Sequence, residues 1–418
     1  MGTTSGSRFT LSLVAACSLA LGAWPGLASA QDGLSAAAVP PTPRPRGPVR
    51  CVDGFAGPYP CRNVDQASYV PNRALGGPTT PNVEGVIGWA DEASGRELAL
   101  VSVSRQVSIV EVTDPENPRL VGDFAQGSLG SVRSLDIFGG HLYVLTGNRS
   151  IEILDLSRVL GASGSPVHFT SDGSVRGVRA AGFSINQETG FAYLFFGSPF
   201  QPGAITALDL NGDPEAPVEA FTWDPGPSYP NNLECVIYHG ADERFTGHEI
   251  CFGAAPRRSL VIYDVTDKDN PVRLSRTFYR GFNVPWQTAL TADHRSLLMV
   301  DTHDEHSYVR NTRTFLWDLS SLTEPRQFTF YQGPSVARDR HIEVRGRFAY
   351  LANARAGLRV LDLRRAGEGR VREAGYFDME TENDGNDWFG AVQVDVLPSG
   401  TVLVGSVRQG LYVLRPRL

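Results

Sequence analysis

Leu260 to Pro271 reads LVIYDVTDKDNP: an apolar run, a carboxylate between aliphatics, and an Asp-led turn closed by proline. The same pattern recurs along the chain. It stands at Val107 to Pro118 (VSIVEVTDPENP), Ser150 to Ser157 (SIEILDLS) and Ala204 to Pro217 (AITALDLNGDPEAP). It returns at Thr314 to Ser320 (TFLWDLS) and Leu358 to Leu363 (LRVLDL), and a last copy without the acid lies at Leu411 to Pro416 (LYVLRP). The copies follow one another at about 44 to 55 residues, and each has a second apolar strand before it, as at Glu249 to Gly253 and Ser296 to Val300. Periods of this size in a strand-rich chain mark propeller blades of four strands, each burying its faces only against its neighbours.

Seven copies predict an all-β, seven-bladed β-propeller. Two packed sandwiches are the alternative, but a sandwich does not call for a sevenfold repeat. The repeated acid is read as a turn cap, because Asp accepts from a backbone N–H two residues on. The last copy has no chain after it for a fourth strand. An open edge would leave N–H and C=O groups unpaired, so a strand from about Val49 to Val86 is expected to pair with Leu411 to Leu414 and close the ring.

Composition agrees with this class. The chain has 418 residues, 41% apolar, with 44 glycines and 28 prolines. Acidic residues outnumber lysine plus arginine, 45 to 38. The net charge of −7 argues against a nucleic-acid partner, which calls for a basic face. After residue 30 no apolar run is long enough to span a membrane.

Residues 1–30 read as a secretory signal peptide: Arg8, an apolar run from Phe9 to Leu21, and the small-x-small end Ala28-Ser29-Ala30. Its removal takes Arg8 and leaves about −8. Val14-Ala15-Ala16-Cys17 offers a rival reading as a lipoprotein box with Cys17 lipidated, although the apolar run continues past Cys17. The chain is therefore expected to be secreted, periplasmic or on the cell surface. Residues 31–82 are read as a proline-rich linker and an N-terminal segment, and 83–418 as the propeller. Cys51, Cys61, Cys235 and Cys251 remain after the leader. In an exported chain four cysteines suggest two disulfides in one of three pairings, and proximity favours Cys51–Cys61 and Cys235–Cys251 over free thiols.

Several longer segments resemble the choice-of-anchor B family of secreted proteins, and the blade motif resembles the LVIVD repeat of bacterial surface propellers. The matching stretches include Cys51 to Asp65 (CVDGFAGPYPCRNVD), Cys235 to Cys251 (CVIYHGADERFTGHEIC) and Arg347 to Leu363 (RFAYLANARAGLRVLDL). The resemblance implies an exported propeller and no particular reaction. It also implies histidines at the start of several inner strands, and here the equivalent positions are Ala181, Asn231, Trp286 and Arg340, with Gln287 and Asp339 beside them.

The channel-mouth candidates are therefore Asn231, Trp286, Gln287, Asp339 and Arg340. Trp and Arg favour binding an anionic or glycan-like ligand, or a partner protein, over a transition metal. The acid-rich stretch Asp301-Thr302-His303-Asp304-Glu305-His306 is the one candidate calcium site, through Asp301, Asp304 and Glu305, against a plain loop. No other cofactor is suggested. His248-Glu249 lacks the second histidine of a zinc-protease motif and is read as a turn within the Cys235–Cys251 loop. The sequence contains no nucleophile elbow, phosphate loop or dinucleotide fingerprint. Two function classes follow: a non-catalytic binding or scaffold protein, expected to be a monomer with an extracellular protein or glycan as ligand, and an extracellular hydrolase or lyase with a site on the top face, calcium-assisted or not.

Overall fold

The computed structural model describes residues 46–76, 82–125, 129–162, 164, 166–195, 203–226, 229–280, 284–303, 305 and 311–418. The leader with Cys17, most of the proline-rich spacer, Asp304 and His306 lie outside the described residues.

The described residues form seven sheets, one for each repeat copy, with at least four strands in each. The repeated motif is the third strand of every blade: Gln106–Glu111, Ser150–Asp155, Ile205–Asp209, Ser259–Asp264, Arg313–Asp318, Leu358–Arg365 and Gly410–Pro416. The first strands are Val83–Ala90, Val132–Phe138, Gly182–Asn186, Asn232–Ile237, Pro285–Leu290, His341–Arg345 and Ala391–Val396, for blades 1 to 7. Each first strand packs against the next, and that of blade 7 against that of blade 1, so the ring is closed.

Second and third strands are apolar on both faces because both faces are covered. Ser296–Asp301 and Glu97–Val103 are buried at every residue. Outer strands alternate instead, as Arg326–Gln332 does between exposed and half-buried. The core is divided accordingly into seven apolar clusters among the described residues, each shared by two adjacent blades.

Closure is made by Val64–Pro71, which pairs antiparallel with Gly410–Pro416, from Val64 opposite Pro416 to Pro71 opposite Gly410. The preceding hairpin, Phe55–Ala56 with Tyr59–Arg62, extends the outer edge of blade 6, where Cys61 faces Phe377. Tyr59, Tyr69, Phe377 and Tyr412 interlock beneath it, with ring centroids 4.7–6.0 Å apart. Both disulfides are Cys51–Cys61 and Cys235–Cys251; the second joins directly opposed residues of the first two strands of blade 4.

The repeat acid caps its turn in every blade where it is Asp. Asp155, Asp209, Asp264, Asp318 and Asp362 each accept from the backbone N–H two residues on, at 2.8–3.0 Å. In blade 1 the acid is Glu111, whose longer side chain turns to Arg96 and Arg119 instead. One excursion carries no signal in the repeat. After its third strand, blade 2 sends Val167–Phe169 to pair in parallel with Arg119–Phe124 on the edge of blade 1, then returns to supply its own outer strand, Gly173–Arg176.

Candidate functional site: the central channel

The seven first strands enclose a cavity of about 980 Å³ that runs through the ring. In blades 1, 2, 5 and 7 the register breaks at the second residue, so Glu84, Arg133, Trp286 and Val392 are the bulged residues. A bulge re-aims its side chain, and these four sit at the end where the channel strands begin. Trp286 is 43% exposed there.

Most polar groups around this mouth reach one blade onward. Glu84 accepts from the Val132 backbone N–H. Arg133 Nη1 donates to Ala180 O (3.4 Å), Asn231 Nδ2 to Pro285 O (2.7 Å) and Arg340 Nη1 to Trp388 O (2.9 Å). Deeper in the channel, Gln287 Oε1 accepts from Ile342 N (3.0 Å) and Asp136 Oδ2 from Ile185 N (2.8 Å). Asp395 Oδ2 accepts from Gly88 N (2.7 Å), which ties blade 7 to blade 1. With Ser184 Oγ, which donates to Leu233 O between blades 3 and 4, these bonds give the inner strands, which have no ladder partner on the channel side, polar contacts across each blade boundary. Asn231, Gln287 and Arg340 thus hold neighbouring blades together, while the Trp286 ring has an open face.

Eight acidic residues among those described line the cavity, and four of them stand on first strands: Asp136, Glu234, Glu343 and Asp395. Burial pushes Asp136 and Glu234 up to about 7. Burial also raises Glu343 and Asp395, and the negative charge of Asp395 adds to the rise at Glu343. Arg345 offsets part of this through a 3.1 Å contact with Glu343. Burial pulls His341 down to about 4, so its ring is neutral at neutral pH and lies 3.4 Å from Gln287 Nε2. None of the four acids belongs to the repeat motif, and each falls at a position that reading the motif alone passes over.

The mouth candidates separate in the structure. Asn231, Trp286 and Gln287 line the channel. Ala181, Asn231 and Arg340 immediately precede first strands, and Trp286 is the second residue of one. Asp339 is fully buried beside the mouth. Arg340 turns outward onto Trp388, which it shares with Arg338; the guanidinium carbons lie 5.3 and 4.2 Å from the ring centre. Burial, then the neighbouring charge of Arg338, lowers Arg340 to about 10, where it remains cationic at neutral pH. The channel wall is therefore acidic, and an anionic ligand, one sequence-based expectation, meets carboxyl groups inside it.

Of the calcium candidates, Asp301 and Glu305 are fully buried. Asp301 accepts from Tyr279 Oη and from the His303 N–H. His248 and Glu249 lie in the hairpin of blade 4, which contains a short helical turn at Glu243–Phe245. His248 pairs with the capping Asp264 (2.7 Å), and Glu249 accepts from Asn186, Thr189, Tyr193 and Lys268.

Among solved structures the chain is similar to the WD40 β-propeller domain of Doa1, with TM-score 0.54, 10% identity, 81% of this chain and 94% of that one covered. It is equally similar to the β-propeller domain of Cps50 (Swd1) from Myceliophteria thermophila: TM-score 0.54, 12% identity, 80% and 95% covered. The ring is built like a WD40 propeller. By sequence the chain matches no family model and no curated protein. At such identities the similarity speaks for the fold alone, and the family resemblance rests on the segments quoted above. Among the described residues no helix is long and apolar enough to cross a membrane. The two disulfides point to an oxidising compartment.

Proposed function

We propose that the protein is a non-catalytic binding propeller, exported to the periplasm, cell surface or medium, and that it takes a glycan at the channel mouth. The observation that carries this reading is Trp286, an exposed indole raised on a bulge beside Asn231 and Gln287, above a channel lined with amide and carboxyl oxygens. A pyranose offers an apolar C–H face to stack on indole and hydroxyl groups that donate to such oxygens. The export motif, the disulfides and the choice-of-anchor B resemblance support the location. The net charge of −7 and the acidic wall disfavour nucleic acid. In this reading Asp301, Asp304 and Glu305 are the candidate calcium ligands.

The test is a glycan array followed by calorimetry on the best hit. Binding should fall more than about tenfold in Trp286→Ala, the scale of a stacking contact, with the melting temperature unchanged. Retention of no glycan, or equal binding by the variant, counts against the proposal. Repeating the titration in EDTA and in calcium decides the calcium reading.

One observation favours the second class. Carboxyl groups held near 7, as Asp136 and Glu234 are, can deliver a proton at neutral pH. If the bound glycan is cleaved, and Glu234→Gln stops cleavage while leaving binding intact, the protein is the hydrolase or lyase instead.

A further inference from the structure

His141 opens the second strand of blade 2 (His141–Thr146) and faces Asp155, the capping acid of the third strand, directly across the ladder. Both lie at the end of the ring opposite Trp286, outside the channel lining. Across the blade boundary, the turn after the third strand of blade 3 brings Glu215 Oε1 to 3.8 Å from His141 Nε2. One donor atom from each of the three residues lies within 4.8 Å of the other two.

Two of the side chains are oriented by contacts of their own, and the third is carried on a fixed turn. His141 Nδ1 lies 3.1 Å from Gly139 O. A carbonyl accepts only from a protonated nitrogen, so Nδ1 carries the hydrogen and the Nε2 lone pair faces the carboxylates, as for a metal-binding histidine. Asp155 is steered by Ser157, whose N–H and Oγ donate to its two oxygens at 2.8 Å each. Glu215 sits on a turn pressed against blade 2. Tyr143 Oη donates to Pro214 O at 3.0 Å, and a Cβ at Gly173 would lie 1.8 Å from Glu215 O.

We propose that His141, Asp155 and Glu215 bind one zinc-class divalent ion that staples blade 2 to blade 3. One imidazole and two carboxylates form a borderline donor set that suits zinc, with water completing the coordination, whereas calcium takes oxygen ligands alone. Tetrahedral ligands at about 2.1 Å from the ion stand about 3.4 Å apart. The present trio must tighten by roughly 1 Å to reach that. Glu215, with its side chain 44% exposed, has the freedom to do so. A plain imidazole–carboxylate contact between the same residues takes up no zinc, so stoichiometric binding separates the two uses.

The experiment titrates EDTA-stripped, dialysed full-length protein with zinc chloride by calorimetry at neutral pH, and follows the melting temperature in parallel. One zinc per chain is expected, raising the melting temperature by mass action. His141→Ala and Glu215→Gln should each weaken binding by at least about tenfold, since even the loss of an outer-shell partner costs that much. His294→Ala, which breaks the stacked His239–His294 pair (ring centres 4.7 Å apart), should leave the titration unchanged. Should His141→Ala not fold, Glu215→Gln, on a partly exposed turn, carries the test. The proposal is overturned by absence of zinc binding, by unchanged affinity in Glu215→Gln, or by loss of binding in His294→Ala.

Discussion

Glu234 reaches across a blade boundary with one oxygen, 3.5 Å from the Leu290 N–H, and its other oxygen accepts no bond among the described residues. Its carboxyl is held near 7 by burial, with Glu343, His341 and Arg345 on the wall near it. The linkage has a definite sign. A folded-state value above the unfolded one favours folding at low pH and loses that contribution as pH rises through about 7. Glu234→Gln keeps the shape and an acceptor but cannot ionise. The variant should match the parent near pH 4 and melt increasingly higher than the parent toward pH 8, by on the order of 2 kcal/mol. Melts at five pH values check this, and a constant offset would contradict it. The capping acids make a smaller, separate prediction. Asp318 accepts from Ser320 N (2.9 Å) and Ser320 Oγ (3.2 Å). Asp318→Ala should cost about 1 kcal/mol, while Asp318→Asn, which keeps an acceptor for the N–H, should be nearly neutral in chemical denaturation.

Among the elements, the closing strand matters most for cohesion. Val64–Pro71 is the only segment that joins the N-terminal part of the described chain to blade 7's ladder, and without it Gly410–Pro416 presents a bare edge. Deleting residues 1–71 should lower the melting temperature by more than about 10 °C, because it opens the ring and uncovers the aromatic cluster around Tyr412. Calorimetry reads this directly; an unchanged melt would mean that the ring holds without its latch. A subtler element is the contact of Gly173 with the blade 3 turn. Gly173→Ala places a methyl carbon against Glu215 O. It should destabilise the fold by about 1–3 kcal/mol, the usual cost of overpacking, and by separating Glu215 from His141 it should also weaken zinc binding.

For the molecule as a whole, recognition and stability are expected to separate. The bonds of Asn231, Gln287 and Arg340 to the next blade place them in the ring's own cohesion, so substituting them should lower stability along with any binding. Trp286, with its exposed face, should affect binding alone. Asn231→Ala and Trp286→Ala, compared by thermal melt and glycan titration, test that division: a lower melting temperature for the first and not the second is the expected result.

Blade number, third-strand positions and the turn caps were legible in the chain order. A strand buried on both faces must be a continuous apolar run, and an Asp that caps its own turn needs partners only two residues away. The disulfide partners were legible for a similar reason: Cys51 and Cys61 are ten positions apart, and Cys235 and Cys251 flank one hairpin. The strand starts at Asn231, Trp286 and Arg340 were located only through the family resemblance. The carboxyl lining could be located by neither route. Asp136, Glu234, Glu343 and Asp395 are spread over four blades, and only ring closure sets them around one cavity, where burial changes their acidity. Likewise, Glu84 and Arg133 come to the mouth through register breaks, and His141, Asp155 and Glu215 meet across a boundary between blades. Local sequence determined the strand, the turn and the repeat, because those depend on near neighbours and on periodic burial. Which polar side chains share a wall, and what charge they carry there, was decided by the tertiary ring, because both depend on residues brought together from far along the chain and on how much water remains between them.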